Sequence, residues 1–111
     1  MSRAYKHFIK DIIDEINNIE EFTKGLSYQD LIKDIKTKYA VIRSLEIIGE
    51  AVKNIPDDIK DEHKDIPWKR IAGMRDKLIH AYFGIDDDML WQTIKEDIPN
   101  LKHMIEKLNL Y

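Results

Sequence analysis

Apolar residues recur at steps of three and four along most of the chain. Tyr5, Phe8, Ile9, Ile12, Ile13, Ile16 and Ile19 draw one stripe, which predicts a first amphipathic helix of about twenty residues. Gly25 ends it, with Lys24 in the last turn. Ser27, followed three residues later by Asp30, is a capping-box variant that opens a second helix. Leu31, Ile35, Ile42, Leu45, Gly49 and Val52 carry that helix to Asn54 and Pro56, which stop it. From Asp57 to Ile66 the period is lost and charge dominates, predicting a short helical turn within a loop. Pro67 stands where a first-turn proline is tolerated. Trp68, Ile71, Ala72, Leu78 and Ile79 then predict a third substantial helix that runs out at Gly84. A last stripe, Met89, Leu90, Ile94, Ile98, Leu101, Met104, Ile105 and Leu108, follows Asp86, Asp87 and Asp88. Pro99 lies within it and should kink the helix rather than end it, since the stripe resumes in phase. With no alternating Val/Thr-rich runs and no repeats, the expected fold is all-α, an antiparallel bundle of four to five helices in one domain spanning residues 1–111.

Composition narrows the function classes. At 43% hydrophobic and 35% charged residues the chain reads as a soluble globular protein with a heavily charged exterior. No apolar run approaches the roughly 18 residues of a membrane span, and the N-terminus lacks a signal-peptide core, so a cytoplasmic protein with no membrane association is expected. The absence of cysteine excludes disulfides, zinc–thiolate sites and thiol nucleophiles. A net charge of −3 argues against non-specific coating of duplex nucleic acid. Charge is uneven, however. Between Trp68 and His80 there are four basic residues (Lys69, Arg70, Arg75, Lys77) against Asp76 alone, a local +3.

That basic segment contains the candidate chemistry. Arg75-Asp76-Lys77-Leu78-Ile79-His80-Ala81-Tyr82 places a permanent guanidinium, an imidazole that titrates near neutral pH and a phenol within eight residues. Together they can hold a phosphate and move a proton without a metal or other cofactor. Asp86, Asp87 and Asp88 suit the start of a helix, with a carboxylate metal site as the other reading. His7, His63 and His103 show no ligand spacing and are expected at the surface. Arg43, Glu46 and Glu50 share a stripe beside the apolar one on the long helix. They either pair with one another on a solvated face or face the motif and orient Arg75. Gly49 costs that helix about 1 kcal/mol of propensity relative to alanine, which suggests close approach of another helix.

The motif and its surroundings resemble the HepT-like branch of the HEPN superfamily, small helical proteins with an Arg-X4-His-X-Tyr motif. Arg43-Ser44-Leu45-Glu46-Ile47-Ile48-Gly49-Glu50-Ala51 resembles the family's long second helix. Ile66-Pro67-Trp68-Lys69-Arg70-Ile71-Ala72-Gly73-Met74-Arg75 resembles its lead-in to the motif, and Tyr82-Phe83-Gly84-Ile85-Asp86 its exit. The resemblance implies a HEPN-like homodimer and a metal-independent ribonuclease. It further implies the toxin of a toxin–antitoxin pair, silenced when a cognate minimal nucleotidyltransferase transfers AMP to the motif tyrosine, here Tyr82.

Within that reading His80 is the general base that takes the proton of a ribose 2′-OH, and Arg75 stabilises charge on the phosphorane. Tyr82 has two further readings, a core aromatic or a base-stacking group. On an ideal helix Arg75 and His80 would lie about 140° apart, so either the helix distorts near His80 or a second subunit completes the site. The alternative function is a non-catalytic helical module that binds a nucleotidyltransferase or nucleotide, with the Arg and His serving only as phosphate contacts.

Overall fold

In the computed structural model, residues 5–80 and 84–109 are described. Helix α1 (Tyr5–Thr23) buries Ile9, Ile12, Ile16 and Ile19, the inner half of its stripe, and leaves Tyr5, Phe8 and Ile13 partly covered. The Thr23 hydroxyl donates to the Ile19 carbonyl at 2.8 Å, and Gly25 turns the chain at φ 75°, so the helix stops one residue before Lys24. Ser27 and Asp30 form the capping box reciprocally, each side chain accepting from the other's backbone N–H at 3.1 Å.

The second helix is not continuous. α2 (Tyr28–Lys33) ends at Asp34, and α3 (Ile35–Asn54) begins after it. Asp34 leaves the helical region (φ −107°, ψ 84°), and its carboxylate accepts from the Thr37 N–H at 3.1 Å and the Thr37 hydroxyl at 2.6 Å. A short carboxylate that captures the N–H three residues on competes with helix continuation and starts a new helix instead. The break also displaces Ile35. It is exposed, on the side of α3 away from the buried Val41, Leu45, Ile48 and Val52.

α3 packs most extensively on α1 and, on another side, on α5. A Cβ added at Gly49 would stand 2.9 Å from the Ala72 carbonyl oxygen, so the glycine lets the two backbones approach as expected. α4 (Asp57–Glu62) supplies the short helical turn and buries Ile59. α5 (Trp68–Ala72) follows Pro67, and the Trp68 indole N–H donates to the His63 carbonyl at 3.1 Å.

The expected third helix is therefore much shorter than its apolar pattern implied. It ends at Ala72, with Gly73 as its cap, and is succeeded by a 3-10 turn (Asp76–Leu78). An antiparallel pair of two-residue strands follows, β1 (Ile79–His80) and β2 (Gly84–Ile85). Leu78 is fully buried and Ile79 partly so, which the helical periodicity had registered, but their backbone is not α-helical.

The C-terminal run comprises α6 (Asp87–Gln92), a π-helical turn (Thr93–Asp97) and α7 (Ile98–Asn109). Pro99 has no N–H to give to the carbonyl four residues back. The chain accommodates it by widening the preceding turn, where the Ile98 N–H bonds to the Thr93 carbonyl. All three acidic residues at the start are engaged. Asp86 caps α6 by accepting from the Met89 N–H at 3.1 Å, Asp87 pairs with Lys38 at 3.1 Å, and Asp88 accepts from the Tyr28 hydroxyl. That last bond, before any other cause, holds the Tyr28 phenol's pKa above its ordinary value. These contacts tie α6 to α2 and α3. The all-α bundle is the fold, assembled from shorter segments than the pattern suggested, and no helix among the described residues is long and apolar enough to cross a membrane.

Candidate functional site

Arg75 occupies the turn between α5 and the 3-10 segment, with helical angles (φ −65°, ψ −35°) but outside any α-helix. The turn is held from both ends. Gly73 N–H donates to the Lys69 carbonyl at 3.1 Å and Asp76 N–H to the Gly73 carbonyl at 3.0 Å, while Met74 beside it is buried. From Ile79 the backbone is extended (φ −116°, ψ 124°). The helical-wheel separation of about 140° between Arg75 and His80 therefore does not apply, because the residues between them do not form one helix. Of His80 the backbone is described, paired with Gly84 across the two strands, whereas Tyr82 lies outside the described residues.

The Arg75 side chain is 38% exposed and reaches back over α3. Its Nε lies 3.3 Å from Glu46 Oε2, a charge contact rather than a hydrogen bond, and its Nη1 lies 3.6 Å from Asp76. Glu46 also meets Arg43, at 3.6 Å. Both sequence readings of this stripe are thus partly realised: Glu46 pairs along its own helix and with the motif arginine. Glu50 pairs instead with Lys53, at 3.7 Å. Exposed pairs of this kind contribute only about 0–1 kcal/mol each, so the Glu46 contact matters for where Arg75 points more than for stability.

These residues line one cleft of about 350 Å³ between α3 and the end of α5. Its walls carry three cations (Arg43, Lys53, Arg75) and three carboxylates (Glu46, Glu50, Asp76), so its charge is balanced among the described residues. The local +3 counted along the sequence does not survive in space. Arg70 and Lys77 both turn to Asp97, at 3.6 and 3.4 Å, on the side of the motif away from the cleft. A phosphate in the cleft would be held by the aim of the Arg75 fork rather than by net charge.

Asp97 is the partner that sequence reasoning missed. It stands at the end of the π turn, 20 residues from Lys77, and ties the motif and its lead-in to the C-terminal run. No periodicity connects it to the motif, although an unpaired basic cluster in an acidic protein does imply a carboxylate somewhere nearby.

An all-α bundle thus sets the arginine of the Arg-X4-His segment over a polar cleft, clear of its own helix. Comparison with known proteins identifies the family. The chain belongs to the HepT-like ribonuclease family, whose model, described as "Ribonuclease HepT-like", matches residues 12–108. It is similar to a Thermococcus cleftensis protein named "Probable ribonuclease HepT", 57% identical over 108 residues that cover 97% of this chain and 98% of the relative. Two chains from Methanocaldococcus jannaschii, each provisionally named an RNase, are 49% and 50% identical over 106 residues. They match 96% of this chain, and 88% and 91% of their own lengths. No solved structure gives a significant match. The protein is a ribonuclease of this family.

Proposed function

We propose that this ribonuclease is the toxin of a toxin–antitoxin pair and cleaves RNA without a metal ion. The observation that carries the mechanism is the cleft itself, in which the motif's Arg75 is set by Glu46. RNA supplies its own nucleophile. His80 takes the proton of the 2′-OH, the oxygen attacks the adjacent phosphorus, and the bond to the 5′-oxygen breaks. The products are a 2′,3′-cyclic phosphate and a 5′-hydroxyl, which acquires its proton from water. An imidazole with a pKa near 6.5 suits the base, and the Arg75 guanidinium meets the charge that grows on the non-bridging oxygens. Glu46 orients Arg75, while Arg43 and Glu50 complete the wall. The active form is a homodimer in the cytoplasm, and a cognate minimal nucleotidyltransferase silences it by transferring AMP to Tyr82.

The deciding experiment is cleavage of a single-stranded RNA in the presence of EDTA, with the ends identified by mass. Cyclic phosphate ends are expected, and Arg75→Ala and His80→Ala should each abolish cleavage while helicity by circular dichroism stays unchanged. Activity that returns only with added magnesium would overturn the mechanism.

A further inference from the structure

The face of α3 that carries Glu46 extends past the cleft. Ile35, Tyr39, Arg43, Glu46 and Glu50 follow at steps of four, four, three and four, which confines them to an arc of about 80°. Tyr39 is 62% exposed and Ile35 52%, the two most exposed large apolar side chains among the described residues. Single exposed apolar residues are ordinary. Here two stand one turn apart, in line with the arginine cleft. Lys36 and Arg43, both exposed and seven residues apart, run alongside them on the same flank. Tyr39 lies about 10 Å along the helix axis from Glu46, a distance that a short run of unpaired nucleotides spans.

We propose that this strip of α3 is a binding platform for the single-stranded RNA that flanks the scissile phosphate: a nucleobase stacks on the Tyr39 ring, packed at its edge by Ile35, and the backbone phosphates meet Arg43 and Lys36. The inference rests on the ribonuclease reading above and deepens it by locating the substrate's path. An aromatic ring interleaved with cations is the surface that unpaired nucleotides recognise, because every base offers a π-face and every linkage a charge. The strip is a poorer fit to a second copy of this chain. Two apolar side chains supply little of the roughly 1,600 Å² that a stable interface buries. Lys36 and the Tyr39 ring lie outside the lining of the cleft, whose balanced charge offers RNA little attraction of its own.

The test uses Tyr39→Ala and Tyr39→Trp in the full chain, both at an exposed position that leaves the core untouched. Affinity is read with a single-stranded 2′-O-methyl RNA, which binds but cannot be cut because its 2′-oxygen is blocked. Cleavage of the unmodified RNA gives KM and kcat, and sedimentation gives the oligomeric state. Tyr39→Ala should weaken binding and raise KM about tenfold, with the loss in KM rather than kcat, and Tyr39→Trp should restore both. Wild-type affinity in Tyr39→Ala, in a wild-type protein that cleaves RNA, would overturn the platform and leave the ribonuclease mechanism standing. Loss of binding together with dissociation of an oligomer would overturn it in favour of a protein interface. A wild-type protein that binds the methylated RNA through Tyr39 yet cuts nothing would support the platform and sink the proposed cleavage mechanism.

Discussion

The long-helix residue in contact with the motif arginine is Glu46. A glutamine there keeps the shape but removes the charge that draws the Arg75 Nε toward α3. Glu46→Gln should reduce kcat about tenfold, a loss of roughly 1.4 kcal/mol in transition-state stabilisation. The melting temperature should hardly move, because the pair is half-exposed and worth little to the fold. Equal activity of the two proteins in single-turnover cleavage would show that Arg75 is aimed by something else. At this scale the sequence was most legible where partners are near in number. Glu46 shares its stripe with Arg43, and the motif is contiguous. It was illegible where an ion pair joins distant segments, since Arg70, Lys77 and Asp97 meet only once the chain is folded.

Among the elements, the helix caps and the α3–α5 contact yield measurable consequences. Hydrogen bonds from Ser27 hold Asp30 below its ordinary carboxylate pKa, the backbone N–H foremost, and hydrogen bonds from Thr37 do the same for Asp34, the hydroxyl foremost. Both carboxylates are therefore better stabilised as anions in the folded protein. Their contribution is complete above the ordinary aspartate range and is lost as pH falls through the lowered folded values. An acid titration followed by circular dichroism should lose helicity in that window, and Asp34→Ala should remove part of this dependence by fraying the first turn of α3 already at neutral pH. Gly49→Ala tests the contact. Alanine gains about 1 kcal/mol of helix propensity, but its Cβ would press on the Ala72 carbonyl, an overpacking that costs about 1–3 kcal/mol. Net destabilisation of about 1 kcal/mol is expected, with cleavage falling further than stability because α5 leads directly into Arg75. A more stable, fully active variant would mean that the approach is slack. The two helices whose lengths were overread failed for definite reasons. Asp34 starts a helix where the apolar stripe ran straight on. Gly73 ends one, a signal available in the sequence that the apolar Leu78 and Ile79 outweighed, and their burial serves an extended segment instead.

For the molecule as a whole, the proposed control by AMP transfer is tested at Tyr82. Tyr82→Phe retains the ring and removes the acceptor oxygen. Incubated with ATP and the cognate nucleotidyltransferase, the wild-type chain should gain mass in steps of one AMP and stop cutting RNA, since each AMP adds bulk and a negative phosphate that repels an anionic substrate. Tyr82→Phe should gain nothing and stay active, and modification of Tyr5, Tyr28, Tyr39 or Tyr111 instead would relocate the switch. The bundle class was legible from periodicity alone, but the directions in which its parts face were not, and the π turn shows why. Counted at 3.6 residues per turn, Leu90 and Leu101 appear to share a side, yet the wide turn between them absorbs one extra residue and offsets the two halves by about 100°. One half is thereby aimed at the motif turn and α2, the other at α1. The C-terminal rod works as a crank with a fixed throw. Deleting one residue between Thr93 and Asp97 would set Pro99 against an ordinary α-turn, and leave the rod unable to seat both halves at once.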